Sequence, residues 1–288
     1  MKKVLVLGST GMLGHQVVLR LSQNPTFEVF DLSFRTKFRA ETIICDVTDF
    51  QRLDQLINEI QPNIIVNCIG ILIKGSNANP KNSILINAYL PHHLVALADS
   101  IGSKVIHVST DCVFSGKKGG YVESDFRDAD DVYGRGKALG EIFSDKHLTL
   151  RTSIIGPELK TNGEGLFHWF MNQSNEVNGF TQAFWGGVST VELAKVIDIA
   201  MEKKLSGLYH VSNGEAISKF ELLNLFNEYF ELGIRVNPSL GKEVDKSLKT
   251  DHLEFLGLIP SYEEMILEMK RFMQSHPEIY SPIYPHVG

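Results

Sequence analysis

The opening segment restricts the fold of this chain more than any other part. An apolar run over residues 3–7 (KVLVL) leads directly into a turn with glycine at positions 8, 11 and 14. Leucine and valine side chains then recur at 13, 17, 18 and 21, which is the spacing of one helical face. A continuous apolar run is typical of a strand buried on both faces of a parallel sheet. The segment therefore predicts a strand, a tight turn and a helix.

The same alternation of strand and helix continues to about residue 155. Further strands are predicted over 27–32, 43–45, 63–67, 104–108 and 147–150. Helical stretches lie between them, among them 83–101, which we expect Pro91 to kink, and 132–143. Strands that alternate with helices predict an α/β fold with a Rossmann-type, doubly wound parallel sheet.

The pattern is less regular after residue 155. Residues 156–165 and 178–187 indicate loops, and 188–204 indicate a helix. Elements that follow such a sheet often form a smaller lobe over the carboxyl ends of its strands, where ligands bind. We therefore predict a cofactor-binding domain over 1–155, with 183–204 packing back on it, and a smaller C-terminal substrate-binding lobe over 156–288.

Composition excludes several classes of protein. The formal net charge is -6, and Lys and Arg are scattered, which argues against a nucleic-acid surface. No apolar segment approaches the roughly 18 residues that a membrane span needs. The three cysteines, Cys45, Cys68 and Cys112, are far apart without a CxxC pair. They indicate reduced thiols in a cytoplasmic protein rather than disulfides, and no metal site is predicted.

The glycine turn has the pattern GxxGxxG between a strand and a helix. Side chains at the glycines would keep a pyrophosphate away from the backbone, and the helix start offers N–H groups to phosphate. The turn therefore predicts binding of a dinucleotide, NADPH or NADH, with a glycine-rich turn without a ligand as the alternative. The expected contacts are Gly8, Thr10, Gly11, Met12, Leu13 and Gly14.

Two further positions bear on the coenzyme. Asp31 ends the second strand, where an acid commonly holds the adenosine ribose and favours NAD, whereas Arg35 is suited to a 2′-phosphate. These signals conflict, so the preference between NADPH and NADH stays open, with NADPH slightly favoured. Asp46 and Val47 are expected at the adenine, although Asp46 is equally suited to capping the following helix.

Tyr133 and Lys137 form a YxxxK pattern on a predicted helix. This spacing places the phenol and the ammonium on one face, one turn apart. A nearby ammonium favours the phenolate and lowers the pKa of a tyrosine, which is otherwise a poor acid or base at neutral pH. Ser109 and Thr110, at the end of strand 104–108, offer hydroxyls that can polarise a carbonyl group.

These residues resemble the extended short-chain dehydrogenase/reductases, over nearly the whole chain. Within that family the similarity is closest to the group of dTDP-4-dehydrorhamnose reductases. The segments that carry it are QPNIIVNCIG, INAYLPHHLVALADSIGSKVIHVSTDCVFSG, VYGRGKALGE and LRTSIIG.

The resemblance implies a catalytic set of Thr110, Tyr133 and Lys137, with Ser109 the less favoured hydroxyl. It places residues 67–70 against the ribose and nicotinamide of the coenzyme, Asn87 behind the active site, and the backbone of 153–155 at the carboxamide. The coenzyme contacts expected from it are Cys68, Ile69, Gly70, Asn87, Ser109, Ser153 and Ile155, besides Tyr133 and Lys137.

The implied reaction is reduction of the 4-keto group of a 6-deoxy sugar nucleotide by a monomer or homodimer. The chain departs from the reductase pattern at Cys112, where a tyrosine is usual, and over 183–190. A dehydratase is disfavoured, because Cys112 replaces the glutamate that such enzymes use as a proton shuttle. A sugar-nucleotide epimerase and a non-catalytic NADP-binding regulatory subunit remain alternatives.

Overall fold

The computed structural model describes residues 1–252, 254–255 and 257–287. Its strands are β1 (Lys2–Leu7), β2 (Phe27–Ser33), β3 (Ile43–Ile44), β4 (Ile64–Asn67), β5 (Lys104–Thr110), β6 (Leu148–Thr152), β7 (Ile154–Ile155), β8 (Glu176–Phe180), β9 (Ala183–Trp185), β10 (Val188–Ser189), β11 (Gly207–His210), β12 (Ile217–Ser218), β13 (Arg235–Ser239) and β14 (Val244–Asp245).

The helices are α1 (Gly14–Ser22), α2 (Phe50–Ile60), α3 (Ile73–Ala78), α4 (Pro80–Ser83), α5 (Leu90–Ser100), α6 (Val132–Leu139), α7 (Leu166–Met171), α8 (Thr190–Glu202), α9 (Lys219–Phe230), α10 (Tyr262–Ser275) and α11 (Pro277–Tyr280). A π-helical segment, Ile84–Tyr89, joins α4 to α5, and a 3₁₀ turn, Asp111–Val113, follows β5.

The largest sheet has seven strands in the order β11-β6-β5-β4-β1-β2-β3. Strand β1 pairs in parallel with β2 and with β4, and β4 pairs in parallel with β5. Residues 4–7 of β1 and all of β4 are buried, as the continuous apolar runs predict for strands covered on both faces. The Rossmann-type, doubly wound sheet expected from the sequence is thus confirmed.

The long helical stretch differs from its prediction. It begins at Pro80 rather than at residue 83, and its irregular part is the π-helical segment. Pro91 lies in the first turn of α5, where a missing N–H is tolerated, so the proline does not interrupt a regular helix. Helix α6 ends at Leu139, earlier than the predicted residue 143.

The chain folds into two compact units. The first consists of Met1–Phe114, Phe126–Arg151 and Ala194–Tyr209, and the second of Ser115–Asp125, Thr152–Leu193 and the chain from His210 onward. Two junctions on the chain, at 151 and 194, lie near the predicted limit at 155 and within 183–204. The assignment of coenzyme to 1–155 and of substrate to 156–288 stays a prediction.

The second unit contains strands where loops were predicted. Residues 156–165 are free of helix and strand, but most of 178–187 belongs to β8 and β9. Strand β8 pairs with β13, which lies far along the chain. Gly179 lies within the predicted loop 178–187. A Cβ at this position would lie 2.8 Å from the Cα atom of Phe220, so glycine here allows close packing against α9.

Candidate functional site

The turn between β1 and α1, residues 8–14, requires glycine at two of its three glycine positions. Gly8 has φ +88°, a left-handed conformation that L side chains rarely adopt, and a Cβ there would lie 3.0 Å from Ile69 Cγ1. A Cβ on Gly14 would overlap the carbonyl oxygen of Gly8. The backbone of this glycine turn is therefore held close to the start of α1, as a pyrophosphate site needs.

Helix α1 begins at Gly14 with Leu13 at its N-cap, and in the described chain no side chain caps it. Thr10 and Met12 are half-buried and Leu13 is buried. An uncapped helix start offers backbone N–H groups and a partial positive charge to an anion. The structure thus brings together the residues that the turn motif predicts for phosphate binding.

Asp31 has a more constrained setting than the sequence suggested. Its side chain is fully buried, and one oxygen accepts a hydrogen bond from Arg39 Nε at 2.6 Å. The other oxygen accepts from Thr42 Oγ1 at 2.7 Å. Ribose binding by Asp31 would therefore require the displacement of Arg39 or Thr42. Sequence analysis missed both partners, although Arg39 is the next arginine after Arg35.

Arg35 and the two predicted adenine contacts lie on the loops after β2 and β3. Arg35 is exposed, with its guanidinium 4.4 Å from the ring centroid of Phe34. Asp46 is exposed and accepts from the backbone and hydroxyl of Thr48, while Val47 is buried in the core. The alternative that Asp46 caps the next helix is wrong, because Asp49 is the N-cap of α2.

The loop after β4 is held in place from below. Asn87, on the π-helical segment, is fully buried and spans both backbone groups of Ile71: its Oδ1 accepts from the nitrogen and its Nδ2 donates to the oxygen, each at 2.9 Å. A Cβ on Gly70 would lie 3.7 Å from Asn87 Oδ1 and 4.0 Å from Lys137 Nζ. Asn87 therefore fixes the backbone at Ile71, directly after Cys68, Ile69 and Gly70, and the coenzyme contacts expected for these residues stay predictions.

Helix α6 is fixed against its neighbours by glycines. Asp131 caps it by accepting from the nitrogen of Gly134 at 2.9 Å. A side chain on Gly134 would overlap the carbonyl oxygen of Cys112, and one on Gly140 would overlap that of Asn87. The backbone of α6 therefore lies unusually close to two neighbouring segments, which sets the positions of the side chains at 133 and 137.

Tyr133 and Thr110 meet at the carboxyl end of β5. Thr110 Oγ1 donates to Asp111 Oδ1 at 3.0 Å and accepts from the nitrogen of Cys112 at 3.2 Å. Burial raises the pKa of Tyr133 above its ordinary value, and the neighbouring Thr110 hydroxyl opposes that rise. A buried, protonated phenol beside a second hydroxyl is suited to donate a proton to a carbonyl oxygen.

Lys137 lies one turn further along α6 and is 4% exposed. Its Nζ donates to the carbonyl oxygen of Val108 at 2.7 Å. Burial lowers the pKa of Lys137 to about 8, which leaves the ammonium predominant at neutral pH. The phenol and the ammonium thus lie on one helix as predicted.

A buried ionic cluster supports these side chains, and sequence analysis missed it. Glu141 accepts from Ser109 Oγ at 2.7 Å and from two nitrogens of Arg151, each at 2.7 Å. Neither charged side chain is exposed to solvent. Both hydroxyls donate to carboxylates in this structure: Ser109 to Glu141, and Thr110 to Asp111 Oδ1 at 3.0 Å. The available signal was the one charged residue, Arg151, within the strand segment 148–152 (LTLRT). We call Ser109, Thr110, Tyr133, Lys137 and Glu141 the catalytic corner.

Ser153 and Ile155 belong to the second unit. The carbonyl oxygen of Ser153 accepts from the nitrogen of Val188 at 2.9 Å and from Thr152 Oγ1 at 3.1 Å. Ile155 is buried in β7, which pairs with β10. Their predicted contact with the nicotinamide carboxamide stays a prediction.

The described residues contain neither a metal-ligand cluster nor a membrane-spanning helix. Within 1–252, 254–255 and 257–287, no three His, Cys, Asp or Glu side chains are grouped as metal ligands. Over the same residues, no helix has both the length and the apolar character needed to cross a bilayer.

A Rossmann-type sheet with a glycine turn, and a Thr–Tyr–Lys set at the end of β5, define a short-chain dehydrogenase/reductase of the extended type. The chain belongs to the family described as the RmlD substrate binding domain, whose pattern matches residues 1–258. This is a family of NAD(P)H-dependent sugar-nucleotide reductases, so the resemblance drawn from the sequence is confirmed at that level.

Two of the relatives carry names of different function. The chain is 26% identical over 241 residues to the dTDP-4-dehydrorhamnose reductase of Aggregatibacter actinomycetemcomitans, covering 79% of each chain. It is also 26% identical over 281 residues to methionine adenosyltransferase 2 subunit beta of Rattus norvegicus, covering 89% of this chain and 83% of the relative. A crystal structure of dTDP-4-dehydrorhamnose reductase from Bacillus anthracis, in complex with NADP, superposes with a TM-score of 0.80 at 24% identity, covering 96% and 100% of the two chains.

Proposed function

We propose that this protein is an NADPH-dependent reductase of the 4-keto group of a dTDP-linked 6-deoxy sugar, with the activity of a dTDP-4-dehydrorhamnose reductase. The observation that carries the proposal is the placement of Tyr133 beside Thr110, with Lys137 one turn away from Tyr133 on the same helix. Family membership supports the coenzyme class and the sugar-nucleotide class of substrate.

The residues of the catalytic corner divide the reaction between them. The coenzyme, held by the glycine turn and by Lys137, would supply hydride to the carbonyl carbon of the sugar. Tyr133 donates its phenolic proton to the carbonyl oxygen as negative charge develops there. Thr110 donates a hydrogen bond to the same oxygen and positions it, after its hydroxyl turns away from Asp111 Oδ1, which accepts it in the free protein. The Lys137 ammonium favours the resulting phenolate through its charge.

The loop after β2 supports NADPH over NADH. The Asp31 carboxylate, which would repel a 2′-phosphate, is neutralised by Arg39 and occupied by Thr42. Arg35 is exposed just beyond the strand end and carries a charge suited to that phosphate. Where the sequence left Asp31 and Arg35 in conflict, this arrangement favours the arginine.

A non-catalytic regulatory subunit is the second candidate, and one observation favours it. The relatives that cover 89% of this chain are named as the beta subunit of methionine adenosyltransferase 2. However, the chain has the threonine beside the tyrosine, and the lysine lies one helical turn from the tyrosine. The unusual Cys112 leaves its contact with Thr110 intact, because that contact uses the backbone nitrogen. A complete proton-donating set favours turnover.

The test follows the absorbance of reduced nicotinamide with purified protein and a dTDP-4-keto-6-deoxy sugar, before and after 3,5-epimerisation. UDP-linked sugars serve as the second nucleotide class. We expect rapid oxidation of NADPH with one dTDP sugar, reduced roughly 10²–10⁴-fold in Tyr133→Phe. Tyr229→Phe, at a half-buried tyrosine on α9, is the matched control and should retain full activity.

Other outcomes assign the alternatives. Coenzyme binding without oxidation on any sugar nucleotide would contradict the reductase and favour the regulatory subunit. Interconversion of two sugar nucleotides without net oxidation would identify an epimerase. The predicted cytoplasmic location and the monomeric or homodimeric state stay predictions.

A further inference from the structure

A buried histidine lies directly behind Lys137. His107 is fully buried on β5, opposite Asn67 of β4 in the register of the sheet. Its Nε2 is 3.4 Å from Lys137 Nζ. Burying a polar ring within the central sheet is costly, so the position calls for a physical reason.

The bonds of Asn67 fix the proton on this ring. Asn67 Oδ1 accepts from the backbone nitrogen of Ile69 at 3.1 Å, which determines which end of the amide is the oxygen. The amide Nδ2 therefore faces His107 Nδ1 at 3.2 Å. An amide NH₂ group only donates, so Nδ1 is the acceptor and the proton of the neutral ring is on Nε2. Burial, together with the charge of Lys137, lowers the pKa of His107 well below its ordinary value, which keeps the ring neutral.

This tautomer decides what the lysine can bond. An Nε2–H group cannot accept a hydrogen bond, so the ring takes none of the three donors of the ammonium. One donor goes to the carbonyl oxygen of Val108. Gly70 has no side chain to fill the space beside Lys137 Nζ. A Cβ built on Gly70 would still lie 4.0 Å from Nζ.

We propose that His107 is a positioning residue for Lys137: held by Asn67 as the Nε2–H tautomer, it closes the β5 side of the ammonium and reserves its remaining donors for the ribose hydroxyls of the coenzyme. The inference rests on the proposed role of Lys137 in holding the coenzyme. By this inference, residues on β4 and β5 help to position the coenzyme through Lys137. Neither the glycine turn nor Tyr133 makes this contribution.

Other groups also act on Lys137 and enter the expected titration. Burial lowers its pKa, while Glu141 and then Cys68 raise it. His107 itself is faced by Lys137 from α6 and by His92 from α5. Variants that change the ring or its partner should therefore move the pKa of Lys137 without altering Glu141 or Cys68.

The first measurement is NMR of the full chain, which does not depend on turnover. Long-range ¹⁵N–¹H correlation of His107 is expected to show a proton on Nε2 and none on Nδ1 near neutral pH. The ¹³Cε signal of Lys137, assigned with Lys137→Arg, reports its titration in the same sample. A proton on Nδ1, or a charged ring, would overturn the proposal whether or not the protein is a reductase.

Two variants then test the consequence. In Asn67→Asp, the carboxylate takes an Nδ1 proton, so Nε2 becomes an acceptor for the ammonium. In His107→Gln, an uncharged carbonyl oxygen does the same. In both we expect the pKa of Lys137 to rise and the Kd for NADPH to increase about tenfold, since one donor is withdrawn from the coenzyme.

His147→Gln is the matched control. His147 is also buried in the first unit, with Nδ1 accepting from the nitrogen of Val105, and it does not contact Lys137. It should leave both the Lys137 titration and the Kd unchanged. If Asn67→Asp and His107→Gln behave as His147→Gln does, His107 has only a structural role and the proposal is wrong.

Discussion

The glycine turn and the catalytic corner lie in the same unit but are built by opposite means. The turn positions a ligand with backbone alone, and side chains are excluded at Gly8 and Gly14. The corner positions its groups with buried polar side chains, and its carboxylate is paired with a guanidinium that is equally inaccessible to solvent. A site built from backbone is disrupted when a substitution adds a side chain, whereas a site built from paired charges is disrupted when a substitution removes a charge. Substitutions of these two kinds therefore distinguish the glycine turn from the catalytic corner.

The largest effect is expected from Glu141→Gln. Loss of the carboxylate charge removes the counter-charge that Glu141 gives the buried Arg151 guanidinium, which typically costs about 3–5 kcal/mol of unfolding free energy. Denaturant unfolding measures the loss. Glu59→Gln is the control, because Glu59 is exposed and 3.9 Å from Arg52, and should cost less than about 1 kcal/mol. Equal losses in the two variants would mean that the corner does not depend on its buried charge.

Lys137→Met tests a pH dependence of the unfolding free energy that the catalytic corner has and the glycine turn lacks. The folded pKa of about 8 lies below the ordinary 10.5, so at neutral pH the buried ammonium is destabilising. As pH rises from about 8 to 10.5 the folded state loses this proton before the unfolded state does, and the stability of the unmodified protein rises by up to roughly 3 kcal/mol. The variant lacks this contribution, so its stability advantage at pH 7 should disappear near pH 10.5. A constant difference across that range would contradict the assignment.

Gly14→Ala tests the turn by adding one methyl group. The new Cβ would overlap the Gly8 oxygen, so the turn must open, at a cost of about 1–3 kcal/mol and with loss of coenzyme affinity. Calorimetric titration with NADPH and thermal unfolding measure both effects. Gly136→Ala, whose Cβ would lie 3.5 Å from Asn87 Cβ, adds the same methyl group at an ordinary contact and should be as stable as the parent.

The smallest effect is expected from Arg35→Ala, which removes charge at the outer end of the coenzyme site. We expect KM for NADPH to rise roughly tenfold, because one charge-assisted contact to the 2′-phosphate is lost. KM for NADH should stay unchanged, since NADH has no such phosphate. An equal rise in KM for both coenzymes would show that Arg35 does not bind the 2′-phosphate.

The residues of the glycine turn could be predicted from the sequence more fully than those of the catalytic corner, for a physical reason. The glycine turn is local, because strand, turn and helix are consecutive and each has its own pattern. The YxxxK pair is local to one helix in the same way. Glu141 accepts from Ser109 and Arg151 on two strands and from Arg127 before α6, and no spacing along the chain indicates that they meet.

Two further differences have the same origin. Asp31 suggested ribose binding, but its environment is set by Arg39 and Thr42, which fold back from the following loop. Strand β8 was predicted as loop because its partner β13 lies beyond two helices, and because asparagine and glycine in it resemble a turn. In each case a distant contact overrides the local preference.

The π-helical segment Ile84–Tyr89 makes the chain sensitive to length at one place. A π turn is an α-helix that holds one residue more than its hydrogen bonding needs, and such turns are frequent at functional sites. Deleting one residue there would return the segment to α geometry, and side chains within it would shift by one position, about 100° about the helix axis. Asn87 would then turn away from Ile71. The extra residue therefore sets the rotational position of the Asn87 amide, which bonds the loop at Ile71, while the helices on either side keep their own packing.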